Sequence, residues 1–354
     1  MCLKKTKICK LVLPSQNINS LIINKKINSL LAFEKEQIQP SSLDLRLGKK
    51  AWRMRASFLP GKKRTVSSCI SEFSMQEINL TEGYILEKGS VYLVELEETL
   101  NLPKNVEGFA NAKSSTGRLD VFTRLISDYC CEFDRLKKGY KGPLYAEIAP
   151  NSFSILAKFG VKLNQIRFRI HKSYSDKIAK SKIVTTKPKN FSINLKSKSN
   201  GFIGYKAKRH TDLIDLNKLN YYKIDDFWEK IVAYNDKIVL DPGAFYILSS
   251  REFVSIKPNQ AAEMAPYLPM IGEFRVHYAG FFDPGFGYSK DNSKKSRAVL
   301  EVRCHETPFI LEHGQNMGEL IYENMSEKPD ILYGKNLKSN YQGQRLKLSK
   351  HFKN

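Results

Sequence analysis

Residues 113–118, Lys-Ser-Ser-Thr-Gly-Arg, place two adjacent serine hydroxyls, a glycine and an arginine in one short stretch. Hydroxyls and free backbone amides donate to phosphate oxygens, and the guanidinium of Arg118 adds a bidentate charged donor. Gly117 lets the backbone approach a ligand closely or take a positive φ. This is the chemistry of an anion site, although a Ser-rich turn capping a short helix would read the same way. The second reactive candidate is Glu301, in Val-Leu-Glu-Val-Arg at 299–303. Strand alternation puts it on one face with Val299 and Arg303. A carboxylate there is either an outward polar residue or a proton carrier. Asp283-Pro-Gly reads as a β-turn between these two regions.

The elements that must hold these groups are strands. Val91 to Leu96, residues 152–156 and residues 298–302 are short and rich in β-branched or aromatic residues. Turn signals separate them: Pro103-Lys-Asn, Lys141-Gly-Pro and Asp283-Pro-Gly. A helical signal stands at residues 225–231, with Asp225 at its start. Many short strands with frequent turns argue for a mainly all-β sandwich, jelly roll or barrel.

The chain has 354 residues, natural for two domains. Leu86 to Tyr92 matches Leu240 to Tyr246 at a spacing of 154, and Glu98 matches Glu252. The spacing returns after a length difference, where Glu147 matches Glu301 and Gly160 matches Gly314. We read two copies of one fold, over residues 1–175 and 190–354, with a Lys/Ser/Thr-rich linker at 171–190. Ser114 and Arg118 fall against Leu268 and Gly272, so the phosphate motif survives only in the first copy.

Five segments together resemble the dCTP deaminase branch of the dUTPase superfamily, in its long, internally duplicated form. They are residues 39–48 (Gln-Pro-Ser-Ser-Leu-Asp-Leu-Arg-Leu-Gly), 113–118, 276–286, 298–302 and 339–344. The resemblance spans roughly residues 10 to 350. It implies a distorted jelly roll for each copy and the conversion of dCTP to dUTP and ammonia. It implies that Lys113, Ser114, Ser115, Gly117 and Arg118 hold the triphosphate. The loop 278–286 would form the nucleoside pocket, beside Val299. There Tyr278, Ala279 and Gly280 would border the base, Asp283 would accept from the sugar, and Phe286 would pack on deoxyribose. Glu301 would be the general base, with Glu147 as the alternative if the site lay wholly in the first copy. The tail would close over the substrate with Tyr333, Tyr341 and Gln344. Mg²⁺ would arrive with the triphosphate. Single-copy relatives share sites between subunits, so a homo-oligomer, weakly a trimer, is expected, and dTTP is a candidate feedback ligand. A dUTPase or a bifunctional enzyme is the runner-up, and a non-catalytic nucleotide-binding protein the third reading.

The net charge of +22 raises nucleic-acid binding. The cations are mostly lysine and are spread along the chain, which argues against a binding patch and suits a polyanionic small substrate. The six cysteines form no C-x-x-C pair, and the H-x-E…P-C-x-x-C signature of zinc deaminases is missing. A deaminase built on this chain is therefore expected to work without zinc. No apolar run is long enough to span a membrane and no secretory leader is apparent, so a cytoplasmic location is expected.

Overall fold

The computed structural model describes residues 7–174, 187–196, 201–266, 274–277, 280–289, 295–334 and 340–353. The chain is mainly β, as expected. Its α-helices among the described residues are Ser15–Ile23, Val66–Phe73, Ser114–Gly117 and Ile224–Phe227. In the first half the main sheet runs in the order Val121–Ser127, Lys141–Pro150, Val91–Asn101, Leu43–Met54, Lys162–Tyr174, Val106–Ala112, Arg135–Leu136. Lys7–Val12 adds to the long strand Lys162–Tyr174. In the second half a five-stranded sheet runs Trp228–Val232, Phe202–Ala207, Phe245–Val254, Ser296–Cys304, Phe274–His277. A four-stranded sheet orders Lys189–Ser192, Asn316–Asn324, Gln260–Pro266 and Phe281–Phe282.

One pairing register occurs in both halves. Glu147 lies opposite Leu93 on one side and Arg124 on the other. Glu301 lies opposite Ile247 and His277. The step from Leu93 to Ile247 keeps the spacing of 154 seen between the glutamates.

The strand Ser296–Cys304 is buried on both faces, and alternation sorts its residues. Ala298, Leu300, Val302 and Cys304 pack into the second-half core with Tyr246 and Leu248. Val299, with Ile247 and Phe245 on the neighbouring strand, joins the first-half core around Leu119, Val121 and Ile148. Glu301 and Arg303 share that face. The sequence around Glu301 is apolar at alternate positions because a second core demands it. The same alternation turns the carboxylate toward the first half.

Charges also tie the halves together. Arg167, fully buried, donates to Glu323 at 3.0 Å and to the carbonyl of Ala262 at 3.1 Å. Arg303 pairs with Asp120. The first core also takes in Leu216, Phe227, Trp228, Leu348 and Phe352 from the second half.

Three local expectations change. The signal at 225–231 gives only one helical turn, Ile224–Phe227, and Trp228–Val232 is a strand paired with Phe202–Ala207. Phe227 and Trp228 are both drawn into a ring cluster with Phe153, at 5.7 and 5.3 Å between centroids. Burial of these rings against aromatic residues remote in sequence outweighs local helix preference. Lys141-Gly-Pro begins a strand instead of making a turn. The turn comes earlier, at Lys138-Gly139, where Gly139 takes φ +71°. Pro143, which has no N–H to give the ladder, sits where the register slips. The expected linker at 171–190 is entered by the strand ending at Tyr174 and left by Lys189–Ser192, and residues 175–186 lie outside the described residues. Cys9, Cys69, Cys130 and Cys304 are buried, whereas Cys131 is exposed. No helix among the described residues is long and apolar enough to cross a membrane.

Candidate active site

The strand Val106–Ala112 delivers Lys113 in an extended conformation, and Ser114–Gly117 then makes a single helical turn. The turn is pinned to the adjacent strand, because Lys113 N and Thr116 Oγ1 both donate to the carbonyl of Leu163, at 2.9 and 2.8 Å. Gly117 is needed for closeness, not for a positive φ. A Cβ built on it would overlap the Glu301 carboxylate. Asp120, three residues on, does take a positive φ of 55° and is fully buried. Its carboxylate accepts from Ser152 Oγ at 2.6 Å and from Arg303. That pair clamps the strand carrying Glu301 against the Ser-Ser-Thr-Gly turn.

Glu301 is 5% exposed, and its Oε2 has no hydrogen-bond partner. Burial pushes its carboxyl well above the ordinary range. The charge of Arg118 opposes that shift and Asp120 adds to it. Burial therefore favours the neutral form of this carboxyl more than that of an exposed glutamate.

Arg118 is 3% exposed and is oriented by the C-terminal tail. Its Nη2 donates to Gln344 Oε1 at 3.0 Å and its Nη1 to the carbonyl of Lys347 at 2.8 Å. The guanidinium lies 3.8 Å above the Tyr341 ring. Its Nε has no partner. Tyr341 Oη and Ser115 Oγ are 2.8 Å apart. Gln344 joins the strand Ser296–Cys304, since its side-chain amide donates to the carbonyl of Arg297 and its own carbonyl accepts from Arg297 N. Residues 340–353 are therefore docked. The polar groups of this tail are engaged by hydrogen bonds to the site itself.

The loop after Gly280 turns through Asp283–Gly287, with Phe286 N donating to the carbonyl of Asp283 at 3.0 Å. Gly285 takes φ +97° there, so the Asp-Pro-Gly turn needs glycine at that place. Phe286 is buried against Phe282 and Tyr333, with centroids at 5.2 and 5.5 Å. Asp283 Oδ1 accepts from Ser41 Oγ at 2.5 Å and lies 3.8 Å from Arg167. Burial raises its pKa, and the Arg167 charge opposes the rise.

These pieces line one cleft of about 810 Å³. Lys113, Ser114, Ser115 and Arg118 come to it from the first half. Gly280, Asp283, Phe286, Val299, Glu301, Tyr333, Tyr341 and Gln344 come from the second half of the same chain. Gly117 supports it from behind. Tyr278 and Ala279 lie outside the described residues.

Glu147 is not part of this cleft. Arg124 occupies it, donating to Oε1 from Nε at 3.0 Å and from Nη2. That guanidinium also lies over the rings of Phe133 and Phe122, at 3.5 and 4.5 Å.

Several residues that line the cleft, or that hold Asp283 from behind it as Ser41 and Arg167 do, escape sequence reasoning. Ser41 and Asp44 stand in the 39–48 segment, where only their place in the motif was informative. Asp44 pairs with Lys113 and keeps Oδ1 without a partner. Arg167, Lys350 and His351 carry no motif at all. Among the described residues no group of three His, Cys, Asp or Glu side chains is arranged to hold a metal.

Two family models match the chain. One, described as the 2′-deoxycytidine 5′-triphosphate deaminase (DCD) N-terminal domain, covers residues 10–172. The other, described as the C-terminal domain of the same enzyme, covers residues 167–352. The crystal structure of 2′-deoxycytidine 5′-triphosphate deaminase from Agrobacterium tumefaciens is similar with a TM-score of 0.82 and 47% identity, over 89% of this chain and 99% of that one. The dCTP deaminase of Natronomonas pharaonis is 24% identical over 146 residues, which is 40% of this chain and 70% of the relative. The "dCTP deaminase, dUMP-forming" of Bifidobacterium longum is 32% identical over 118 residues, 32% of this chain and 57% of the relative.

Proposed function

The chain belongs to the dCTP deaminase family, and from that premise we propose that it hydrolyses dCTP to dUTP and ammonia, with Glu301 carrying the protons. The observation behind this reading is the placing of a buried carboxyl without a hydrogen-bond partner at Oε2 in the same cleft as the Ser114–Arg118 turn.

In this mechanism water adds to C4 of the cytosine as its proton moves to Glu301, and that proton passes to N3. The tetrahedral C4 then loses its amine. The hydroxyl proton leaves through Glu301 to the departing nitrogen, so C4=O and ammonia form together. A carboxyl raised by burial suits both directions of transfer, and such a shuttle contributes roughly 10²–10⁴-fold. The remainder falls to positioning and to backbone donors around the base. The turn at Ser114–Arg118 would hold the phosphates. Phe286 and Asp283 would hold the deoxyribose. Tyr341 and Gln344 would exclude water from the reacting face.

Mg²⁺ fits as a companion of the triphosphate. Asp44, with one carboxylate oxygen free of partners, is the residue that would stand beside it, and the ion would neutralise phosphate charge. The missing zinc-deaminase signature supports a zinc-independent reaction.

Product analysis tests the proposal: purified protein with dCTP and Mg²⁺ should yield dUTP. Asp283, the carboxylate that a dUTP-hydrolysing reading would need to orient a water toward the α-phosphate, is engaged by Ser41 and Arg167. We therefore expect the reaction to stop at dUTP. Accumulation of dUMP would establish the bifunctional reading, which the dUMP-forming name of the Bifidobacterium relative keeps in view. Absence of any turnover, with saturable nucleotide binding, would favour a binding protein.

A further inference from the structure

Part of the cleft lining is crowded with ammonium groups. Lys113 and Lys162 line it, and each has a carboxylate partner, Asp44 and Glu34 respectively. Lys350 lines it too, half-buried, with no ion pair or side-chain hydrogen bond among the described residues. Its charged neighbours are Lys113, Asp44 and Lys162, and none of the groups that act on Glu301 is among them. Burial, reinforced by the two lysines and opposed by Asp44, pulls its pKa below the usual lysine value.

The backbone holds Lys350 in place from both sides. Ser349 Oγ donates to the carbonyl of Ser115 at 2.7 Å and lies 2.9 Å from His351 Nδ1. His351 Nε2 lies 3.2 Å from the carbonyl of Leu216. The carbonyl of Lys350 accepts from Asn220 N at 2.9 Å. Leu348 and Phe352, on either side, are buried in the first core. A flexible surface lysine would need none of this. An ammonium kept next to two others, and without a counter-ion, suits a polyanion as its missing partner.

We propose that Lys350 binds the terminal phosphates of the substrate and makes the site selective for the triphosphate over shorter phosphate chains. The inference rests on the reading of dCTP as substrate for the nucleoside part, but not for the phosphate part. The test uses full-length wild type, Lys350→Met and Lys350→Arg, with binding measured for dCTP, dCMP, deoxycytidine and inorganic tripolyphosphate.

Lys350→Met should weaken dCTP and tripolyphosphate by about 10-fold or more and leave deoxycytidine and dCMP within about twofold. Lys350→Arg should recover most of the loss. The thermal midpoint of Lys350→Met should match or exceed that of the wild type, because an uncompensated charge has been removed. Equal weakening of dCTP and deoxycytidine, or unchanged dCTP affinity in Lys350→Met when the wild type deaminates dCTP, would overturn the inference. A wild type that binds tripolyphosphate through Lys350 but never turns over dCTP would uphold it and sink the substrate reading instead.

Discussion

Glu147 and Glu301 occupy the same register position in two similar sets of three strands, and their surroundings part company within one residue of the strand pairing. Opposite Glu147 stands Arg124, whose guanidinium closes on the carboxylate and is roofed by Phe122 and Phe133. Opposite Glu301 the strand supplies His277, and the cation that acts on the carboxyl, Arg118, comes from the other half and points its donors at the tail. The first glutamate is neutralised by a neighbour in its own sheet. The second is left to the cleft. Equivalent backbone geometry therefore does not make an equivalent site. Arg124 on the adjacent strand makes the first carboxylate part of a structural ion pair.

The largest test of that contrast is the pair of isosteric changes. Glu301→Gln should lower kcat by at least 10²-fold while dCTP binding is largely kept. Glu147→Gln should leave kcat near wild type and lower folding stability by about 1–3 kcal/mol, because Arg124 loses its counter-charge while part-buried. Steady-state kinetics and chemical denaturation on the same preparations check both. A dead Glu147→Gln beside an active Glu301→Gln would reverse the assignment.

Next in size is the shared nature of the site. Arg118→Ala should cost about 1.5–3 kcal/mol in binding dCTP and far less for deoxycytidine. Both lesions fall in one cleft of one chain, so mixing inactive Arg118→Ala chains with inactive Glu301→Gln chains should restore nothing. Recovery of activity on mixing would mean that the working cleft draws its halves from different chains.

The smallest effect is on stability against pH. The folded-state pKa of Glu301 is raised, so the folded protein keeps this proton at pH values where the unfolded chain has lost it. The stability associated with the neutral carboxyl is present below the ordinary glutamate range and fades as pH rises through the raised value. Glu301→Gln should therefore unfold at nearly the wild-type temperature near pH 4 and at a higher one above the raised pKa. A difference that does not grow with pH would show that the carboxyl is not desolvated.

Much of this site could be read from the chain because its parts are local. The Ser-Ser-Thr-Gly-Arg turn, the Asp-Pro-Gly turn and the alternation around Glu301 each declare themselves within a few residues. Lys350 could not be read, because one more lysine in a chain of net charge +22 has no signature. Arg124 looked like any strand arginine, and its partner Glu147 lies 23 positions away. Asp120 and Arg303, which hold the turn to the strand, are 183 positions apart. The extended conformation of Trp228 was hidden for a related reason. Its helical-looking surroundings are overruled by rings from Phe153 and Phe352, remote in sequence.

The strand Ser296–Cys304 carries a consequence for folding fidelity. From Ala298 to Cys304 the even-numbered residues fill one core and the odd-numbered residues face the first half, so a slip of one position would exchange the two sets. Leu300 and Val302 would be tolerated on either side. Glu301 and Arg303 would not, since the slip would drive a carboxylate and a guanidinium into the packing around Tyr246 and Leu248, at a cost of several kcal/mol for each unpaired charge. Glu301 thus doubles as an indexing mark, and a chain that folded with this strand out of step would be unstable.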